Sequence, residues 1–410
     1  MNVQGVDFLP ELPQGWRKTP VRYATTCLDG RRVPLNGDER GVRQGEFPYW
    51  GANGVVDTID EFIFDEPLVL LGEDGAPFFD KSKSVAFFVT GKIWVNNHIH
   101  VLRTTRDFDP RFVAYALNAT DYAPWIDGST RDKLTQDKMG SIPLPSPPLL
   151  TQRSIADFLD RETIRIDALV AAKELLIELL VEKRKAIIAM AVMRGLEPKV
   201  KLRDSGVAWL GEVPAHWGTE RARWLFRERD LRSESGEEEM LTVSHLTGVT
   251  PRSEKDVNMF EAETNEGYKV CEPGDLVINT LWAWMGAMGI APMKGIVSPA
   301  YHVYEPGPRY APAYIDVLVR LPVFAKEVTR YSKGVWSSRL RLYPEGFFEA
   351  CLPVPPMEEQ RAIIGFIAKE TAKLDKVRAA TERTIALLKA RRAALIVAAV
   401  TGKIDLEATA

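Results

Sequence analysis

The chain has 410 residues, 45% hydrophobic and 27% charged, so it is long enough for two or more globular domains. No apolar run reaches the length of a membrane span, and the first residues lack the basic and apolar stretches of a signal peptide. The three cysteines are far apart and show no metal-binding or redox spacing. We therefore expect a reduced, cytoplasmic protein without disulfides or a metal site. Its net charge of −3 predicts weak DNA binding unless a partner adds basic groups.

Four segments follow one another along the chain. Residues 1–141 predict an α/β module, because β-rich, aromatic runs such as SVAFFV and KIWVNN alternate with Gly, Pro and Asn turns. Residues 142–212 predict a long helix and a connector, since apolar residues recur there with coiled-coil spacing. Residues 213–350 predict a second module, and 351–410 a second long helix. The predicted seam of the first helix is Ile155, Leu159, Ile166, Leu169, Leu176, Leu180, Ile187 and Met190.

The two helical segments are copies of each other. The sequence PSPPLLTQRSIADFLDRETIRID at 145–167 aligns without a gap with PVPPMEEQRAIIGFIAKETAKLD at 353–375, a shift of 360 − 152 = 208 residues. The regions before them agree only at their edges, where LPQGWRKTPVRY resembles VPAHWGTERARW and STRDKL matches SSRLRL. Helices that stay alike while the modules diverge are typical of a protein in which two modules recognise different targets and the helices fix the distance between them.

These patterns predict an α+β fold in which two globular α/β modules alternate with two long helices. An internal pseudo-two-fold repeat would pair the helices as an antiparallel coiled coil with one module at each end. Proteins of this symmetry read two DNA half-sites on one face of the duplex.

Several stretches resemble the specificity subunits of type I restriction–modification systems. They include PLPSPPLLTQRSIADFL, KLRDSGVAWLGEVPAHW, KIWVNNHIHVL, GYKVCEPGDLVINTLWAWMGAMGI and KGVWSSRLRLYPEGF. The resemblance covers essentially the whole chain and implies two target recognition domains that read a bipartite asymmetric site. It implies double-stranded DNA, two methyltransferase subunits and restriction subunits as partners. The cofactors S-adenosylmethionine, ATP and Mg are then expected on the partners, and none in this chain.

Two other classes of function fit the sequence less well. A stand-alone methyltransferase or nuclease would need an (N/D/S)-P-P-(F/Y) motif, a Pro-Asp metal motif or a phosphate-binding loop, and the sequence contains none of them. A coiled-coil scaffold without a DNA role would explain the helices, but not two diverged modules with matching edges. We therefore expect a non-catalytic DNA-recognition chain.

Candidate DNA contacts lie in three places. The turn PYWGANG offers an exposed amide that suits adenine, or it is simply a tightly packed turn. In NTLWAWMG a tryptophan would stack on bases or fill the core. The two copies of the STRDKL segment keep hydroxyls and cations that suit phosphate, although capping of a helix would also explain the hydroxyls. The candidates are Tyr49, Trp50, Asn53, Ser129, Thr130, Arg131, Lys133, Asn279, Trp282, Ser337, Ser338, Arg339 and Arg341.

Two further groups of polar residues have competing interpretations. His98 and His100 would form a metal pair, but no cysteine or carboxylate stands at ligand spacing, which favours a structural role. Residues duplicated at the starts of the two helices either dock the methyltransferase subunits or, at the seam, fix the antiparallel register. These duplicated residues are Gln152, Arg153, Phe158, Glu162, Gln360, Arg361, Phe366 and Glu370.

Overall fold

The structure is a computed structural model, and it describes residues 11–126, 132–254, 264–334 and 340–404. Contacts divide the chain into two compact units, and we describe each by itself. Unit 1 comprises Met1–Leu176 and Ala380–Ala410, and unit 2 comprises Ile177–Ala379. This division cuts both long helices, whereas the sequence suggested limits near 141 and 350. The reason is that each module shares its core with segments of both helices.

The described residues of unit 1 form three sheets and the start of a long helix. Its strands are β1 (Arg17–Pro20), β2 (Thr25–Cys27), β3 (Phe47–Gly51), β4 (Gly54–Ile59), β5 (Phe64–Asp65), β6 (Leu68–Gly72), β7 (Ala86–Val89), β8 (Lys92–Val95), β9 (Ile99–Thr104) and β10 (Pro143–Ser146). Its helices are α1 (Val21–Ala24), α2 (Gly37–Val42), α3 (Pro110–Ala119), α4 (Gln136–Ser141) and the first part of α5 (Leu149–Arg194). The sheet orders are β2-β9-β6-β7, β4-β3-β8-β5 and β1-β10.

Unit 2 repeats the first of these sheets and ends in the second long helix. Its strands are β11 (Leu202–Asp204), β12 (Glu212–Pro214), β13 (Gly218–Arg221), β14 (Phe226–Glu228), β15 (Leu241–Ser244), β16 (Gly248–Pro251), β17 (Lys269–Cys271), β18 (Leu276–Ile278), β19 (Met288–Ile290), β20 (Gly295–Val297), β21 (His302–Pro306) and β22 (Cys351–Val354). Its helices are α6 (Pro312–Val319), α7 (Pro322–Arg330), α8 (Pro344–Glu349) and α9 (Met357–Val400), which continues into unit 1. The main sheet has the order β14-β21-β18-β19.

Helix segments complete the core of each unit. In unit 1, α3 begins at Pro110, where the Asp109 side chain accepts hydrogen bonds from the amides of Arg111 and Phe112 and so caps the helix. Buried residues of α3 and β6 share one apolar cluster with Ile155 of α5 and Val400 of α9. In unit 2 the corresponding cluster joins the α6 and β18 residues to the end of α5 and the start of α9.

Within each unit the two long helices pair in opposite directions. In unit 1 a carboxylate oxygen of Asp167 lies 2.9 Å from Arg392, and one of Glu174 lies 3.1 Å from Lys389. The partner number falls as the α5 number rises, so the segments are antiparallel. In unit 2 the Arg184 guanidinium lies 2.6 Å from Asp375.

The coiled-coil pattern placed most seam residues correctly, with two errors. Ile155, Leu159 and Ile166 are buried as predicted, but Leu169 is 46% exposed and Met190 66% exposed. Val170 is buried in place of Leu169, because the helix continues with 3.6 residues per turn while a strict seven-residue repeat assumes 3.5. Both helices end at glycines with left-handed backbone, Gly195 at φ +74° and Gly402 at φ +72°.

Candidate nucleic-acid interface

The register of the strands makes the main sheets of the two modules directly comparable. In module 1, Leu71 of β6 pairs with His100 of β9. In module 2, Ile278 of β18 pairs with His302 of β21. The residues that follow the central strand can therefore be matched, so that Glu73 corresponds to Thr280. We call these following residues, 73–75 and 280–284, the strand-end turns.

In module 1 the strand-end turn brings together two of the predicted DNA-contact regions. The Leu134 amide donates to the Glu73 carbonyl over 2.7 Å, and the Gly75 amide donates to the Asp132 carbonyl over 3.2 Å. The Asn53 side-chain amide donates to the Gly75 carbonyl over 3.2 Å. The PYWGANG turn and the end of the STRDKL segment therefore meet at one edge, although about 80 residues separate them in the sequence.

Module 2 shows the same arrangement at the matching position. The Leu342 amide donates to the Thr280 carbonyl over 3.2 Å, which anchors the end of the SSRLRL segment beside the turn that carries Trp282. Reciprocal 2.9 Å backbone hydrogen bonds between Lys333 and Arg341 hold that segment in place. We call residues 132–134 and 340–342 the anchored segments. Two modules with different interiors thus present the same two features at the same place.

The anchored segments carry one described cation each from the predicted set. Lys133 is exposed, and its Nζ lies 3.3 Å from a carboxylate oxygen of Glu73. Arg341 is exposed as well. The other predicted phosphate ligands, Ser129, Thr130, Arg131, Ser337, Ser338 and Arg339, lie outside the described residues.

The structure separates the remaining DNA candidates into buried and exposed residues. Tyr49 is fully buried, and its hydroxyl accepts a hydrogen bond from the Leu35 amide, so we correct it to a core residue. Asn279 is also buried and donates to the Tyr301 hydroxyl over 2.9 Å, so we correct it as well. Trp50 is half-buried against Phe87. The side chains that remain at the surface are those of Asn53, Trp282, Lys133 and Arg341.

His100 is the centre of a buried charge network under the module 1 turn. Its Nδ1 lies 2.6 Å from Asp29 and its Nε2 lies 2.9 Å from the Leu134 carbonyl. Each ring nitrogen of His100 therefore faces a hydrogen-bond acceptor. Burial raises the pKa of Asp29, but the hydrogen bond and charge of His100 outweigh this and hold it below its ordinary value of 3.8.

Distance alone would allow a metal ion in this network, because ligand atoms of Asp29, Glu73 and His100 lie within 4.8 Å of one another. Those atoms already have protein partners. The Arg32 guanidinium lies 2.6 Å from Glu73 and 3.5 Å from Asp29, and Lys133 contacts Glu73 too. We therefore interpret the network as a structural one that holds the anchored segment of module 1 in place, and not as a metal site.

The matching histidine in module 2 has different neighbours. His302 Nδ1 lies 2.8 Å from a carboxylate oxygen of Glu228 and 3.3 Å from the buried Nζ of Lys269. Burial lowers the pKa of His302, and the nearby Lys269 charge adds to this, against the opposing effect of Glu228. The position is retained in both modules, but its charge environment is not.

The two glutamines predicted to dock a partner are buried clamps. The Gln152 side chain accepts from the Asp109 amide at 2.9 Å and donates to the Asp107 and Pro147 carbonyls at 3.0 and 2.9 Å. The Gln360 side chain accepts from the Ala311 amide at 2.8 Å and donates to the Arg309 and Pro355 carbonyls at 2.8 and 2.9 Å. Both are fully buried, so we correct them from docking residues to residues that fasten each module to its helix.

The other docking candidates lie mostly at the surface. Arg153 and Arg361 are exposed, and Phe366 is partly exposed. Phe158 packs against the unit 1 core. Two half-buried seam glutamates complete the set, Glu162 and Glu370, and Glu370 pairs with Lys373 of its own helix at 2.5 Å.

Sequence reasoning missed the residues that join the helices. Asp167 and Asp375 occupy matching positions, as do Arg184 and Arg392, and the pairs Asp167–Arg392 and Asp375–Arg184 are related by the duplication. All four belong to the identities shared by the two helical copies. The recurrence of these four residues in both copies could have marked them as important. Which carboxylate pairs with which guanidinium depends on how far the antiparallel helices are shifted along each other, and the sequence does not give that shift.

Comparison with known proteins shows which family part of this chain resembles. Residues 35–178 match a family model described as the type I restriction modification DNA specificity domain. This part of the chain is similar to that domain. The match covers most of module 1 and the first part of α5. Among the described residues, no helix is long and apolar enough to cross a membrane.

Curated relatives extend the likeness beyond the matched domain. A Haemophilus influenzae protein that bears the name of a type I restriction enzyme specificity subunit is 32% identical over 160 residues, 38% of this chain and 40% of the relative. The StySPI specificity subunit of Salmonella potsdam is 23% identical over 221 residues, 48% of this chain and 47% of the relative. The chain thus spans less than half the length of each of these relatives.

Solved structures show the fold of the whole chain. The HsdS subunit from Thermoanaerobacter tengcongensis has a TM-score of 0.53 at 16% identity, covering 96% of this chain and 99% of that one. A chain from a study of complex assembly and conformational transition of the type I R-M system has a TM-score of 0.67 at 16% identity, covering 96% and 100%. The chain therefore shares its fold with these solved structures, which confirms the predicted fold class.

Proposed function

We propose that this chain is the DNA-specificity subunit of a type I restriction–modification complex and that it binds a bipartite, asymmetric DNA site. One observation carries the proposal. Each module holds an anchored segment against a strand-end turn at a matching position, while the exposed residues on the turns differ. Equivalent surfaces with different side chains suit two half-sites of different sequence.

Chemistry is assigned to partners in this proposal. Two methyltransferase subunits would bind S-adenosylmethionine and methylate adenine, and restriction subunits would use ATP and Mg for cleavage. The proposal is supported by the absence of methyltransferase, nuclease and phosphate-loop motifs from the sequence, and by the similarity of residues 35–178 to a type I specificity domain. A net charge of −3 suits a reader that relies on partners for much of its phosphate contact. We expect the complex to act in the cytoplasm.

Adenine methylation mapping tests the proposal directly. The chain is expressed with its methyltransferase partner in cells that lack other adenine methylation, and methylated positions are read by single-molecule sequencing. We expect one split motif with an unread spacer, and no methylation when either chain is expressed alone. Methylation by the isolated chain, or a continuous motif with the partner, would contradict the proposal.

A further inference from the structure

The strand-end turn of module 2 carries an exposed tryptophan, Trp282. Trp282 is 50% exposed, and its indole N–H donates to none of the described residues. Single exposed aromatic residues are common, and Trp224 of the same unit is 72% exposed, so exposure alone assigns no role to Trp282. Its place on the strand-end turn and the way it is held there carry the argument.

The backbone and a second tryptophan hold Trp282 in one orientation. The Trp282 amide donates to Asn279, and the Trp282 carbonyl accepts from Met285 and Ala287 at 3.0 and 3.1 Å. Gly286, at φ +87°, permits this tight reversal. The Trp284 ring stacks against Trp282 with centroids 6.2 Å apart and an interplanar angle of 19°. The exposed ring is therefore preorganised, which lowers the entropy lost when it makes a contact.

Its position beside the anchored segment points to the ligand. The Thr280 carbonyl, two residues before Trp282, holds the Leu342 amide, and the exposed Arg341 precedes Leu342. An exposed cation and an exposed aromatic ring on two segments that are joined in this way suit nucleic acid, where the cation binds phosphate and the ring contacts a base. The strand register places Gly75 of module 1 at the position of Trp282, so the two modules differ here.

We propose that Trp282 is a specificity-determining residue that makes an apolar contact with a base in the half-site read by module 2. This inference rests on the proposed function and names the residue through which module 2 acts. The contact is either with a thymine methyl group in the major groove or with the face of a base, and both share the same apolar chemistry.

Methylation mapping of the complex with Trp282→Ala tests the inference. We expect one or two positions of the second half-site to become degenerate, with discrimination there reduced about 5- to 100-fold, while the first half-site is unchanged. Trp282→Phe should stay within about threefold of the wild type because it keeps an aromatic ring. Trp224→Ala is the matched control, since Trp224 is 72% exposed in the same unit but lies on a different turn, at 222–224.

Modified DNA distinguishes the two kinds of contact. Deoxyuridine lacks the methyl group of thymine. If the indole contacts that methyl group, replacing thymines of the second half-site with deoxyuridine weakens DNA binding by the wild-type complex but not by the Trp282→Ala complex. A change in 2-aminopurine fluorescence that requires Trp282 instead indicates contact with a base face.

Failure of the inference and failure of the proposed function give different results. An unchanged motif and methylation rate in Trp282→Ala, with the wild-type chain active, overturns the inference alone. A wild-type chain that directs no methylation overturns the proposed function and the inference with it. If Trp282→Ala unfolds, Trp282→Leu replaces it, because leucine keeps much of the apolar volume without the ring. The inference is then overturned if Trp282→Leu and Trp282→Phe both give the wild-type motif and neither deoxyuridine nor 2-aminopurine reports a contact with Trp282.

Discussion

Gln152 and Gln360 make matching hydrogen bonds in the two units, so a substitution in one unit can be compared with the unchanged glutamine in the other. Replacing Gln152 with alanine removes three hydrogen bonds, of 2.9, 3.0 and 2.9 Å, two of them buried and one partly buried, and leaves the Asp109 amide and two carbonyls without this partner. At about 1 kcal/mol for each bond, the local free energy of opening should fall by about 3 kcal/mol. Because about 1.4 kcal/mol is a tenfold change, amide exchange there should accelerate roughly 100-fold.

Hydrogen–deuterium exchange followed by mass spectrometry measures this locally, which suits a chain of two units better than one global melting curve. In Gln152→Ala the peptide 107–113 should exchange faster, and the matching peptide 309–315 should be unchanged. Gln360→Ala should give the reverse pattern, because its side chain holds Ala311 and Arg309. Arg153→Ala, a neighbouring exposed residue with a single 4.0 Å contact to Asp109, is the control for a substitution in the same turn.

Two results would refute the reasoning. Equal acceleration of both peptides by either variant would mean that the clamps act on a single cooperative structure instead of on separate modules. If amide exchange in Gln152→Ala is no faster than in Arg153→Ala, water replaces the hydrogen bonds of the glutamine without loss of stability.

Three other predictions follow from the same structure. Replacing 24–128 with the corresponding region of another specificity subunit should change one half of the methylated motif, and a change in both halves would contradict separate readers. The folded-state pKa of Asp29 lies below its ordinary value of 3.8, so the ionised form stabilises unit 1 above that pH, and this stabilisation is lost as pH falls through the folded pKa. Asp29→Asn should therefore reduce the fall in melting temperature between about pH 5 and about pH 2. An unchanged slope in that range would reject Asp29 as the source. Asp167→Arg and Arg392→Asp should each lower the melting temperature slightly, because an exposed ion pair contributes about 0.5 kcal/mol. The double variant restores the opposite charges and should recover the melting temperature. Additive losses in the double variant would show that the two side chains, 2.9 Å apart, are not energetically coupled.

The sequence by itself determined the repeat, the fold class and most of the helix seam. Duplication is visible as matching letters at a constant shift of 208 residues, and helix limits follow from local chemistry, with prolines before the first turn and Gly195 and Gly402 after the last. These signals are local or periodic, so no knowledge of distant contacts is needed to read them.

Only the tertiary structure decided which polar and aromatic residues are available to a ligand. Tyr49 and Gln152 look like surface candidates in the sequence, yet both are buried, because a residue's exposure depends on what packs against its turn. The meeting of Asn53, Gly75 and Asp132 depends on the order of strands in the sheet. Strand order is set by long-range pairing, and the pattern within each strand carries no record of its neighbour.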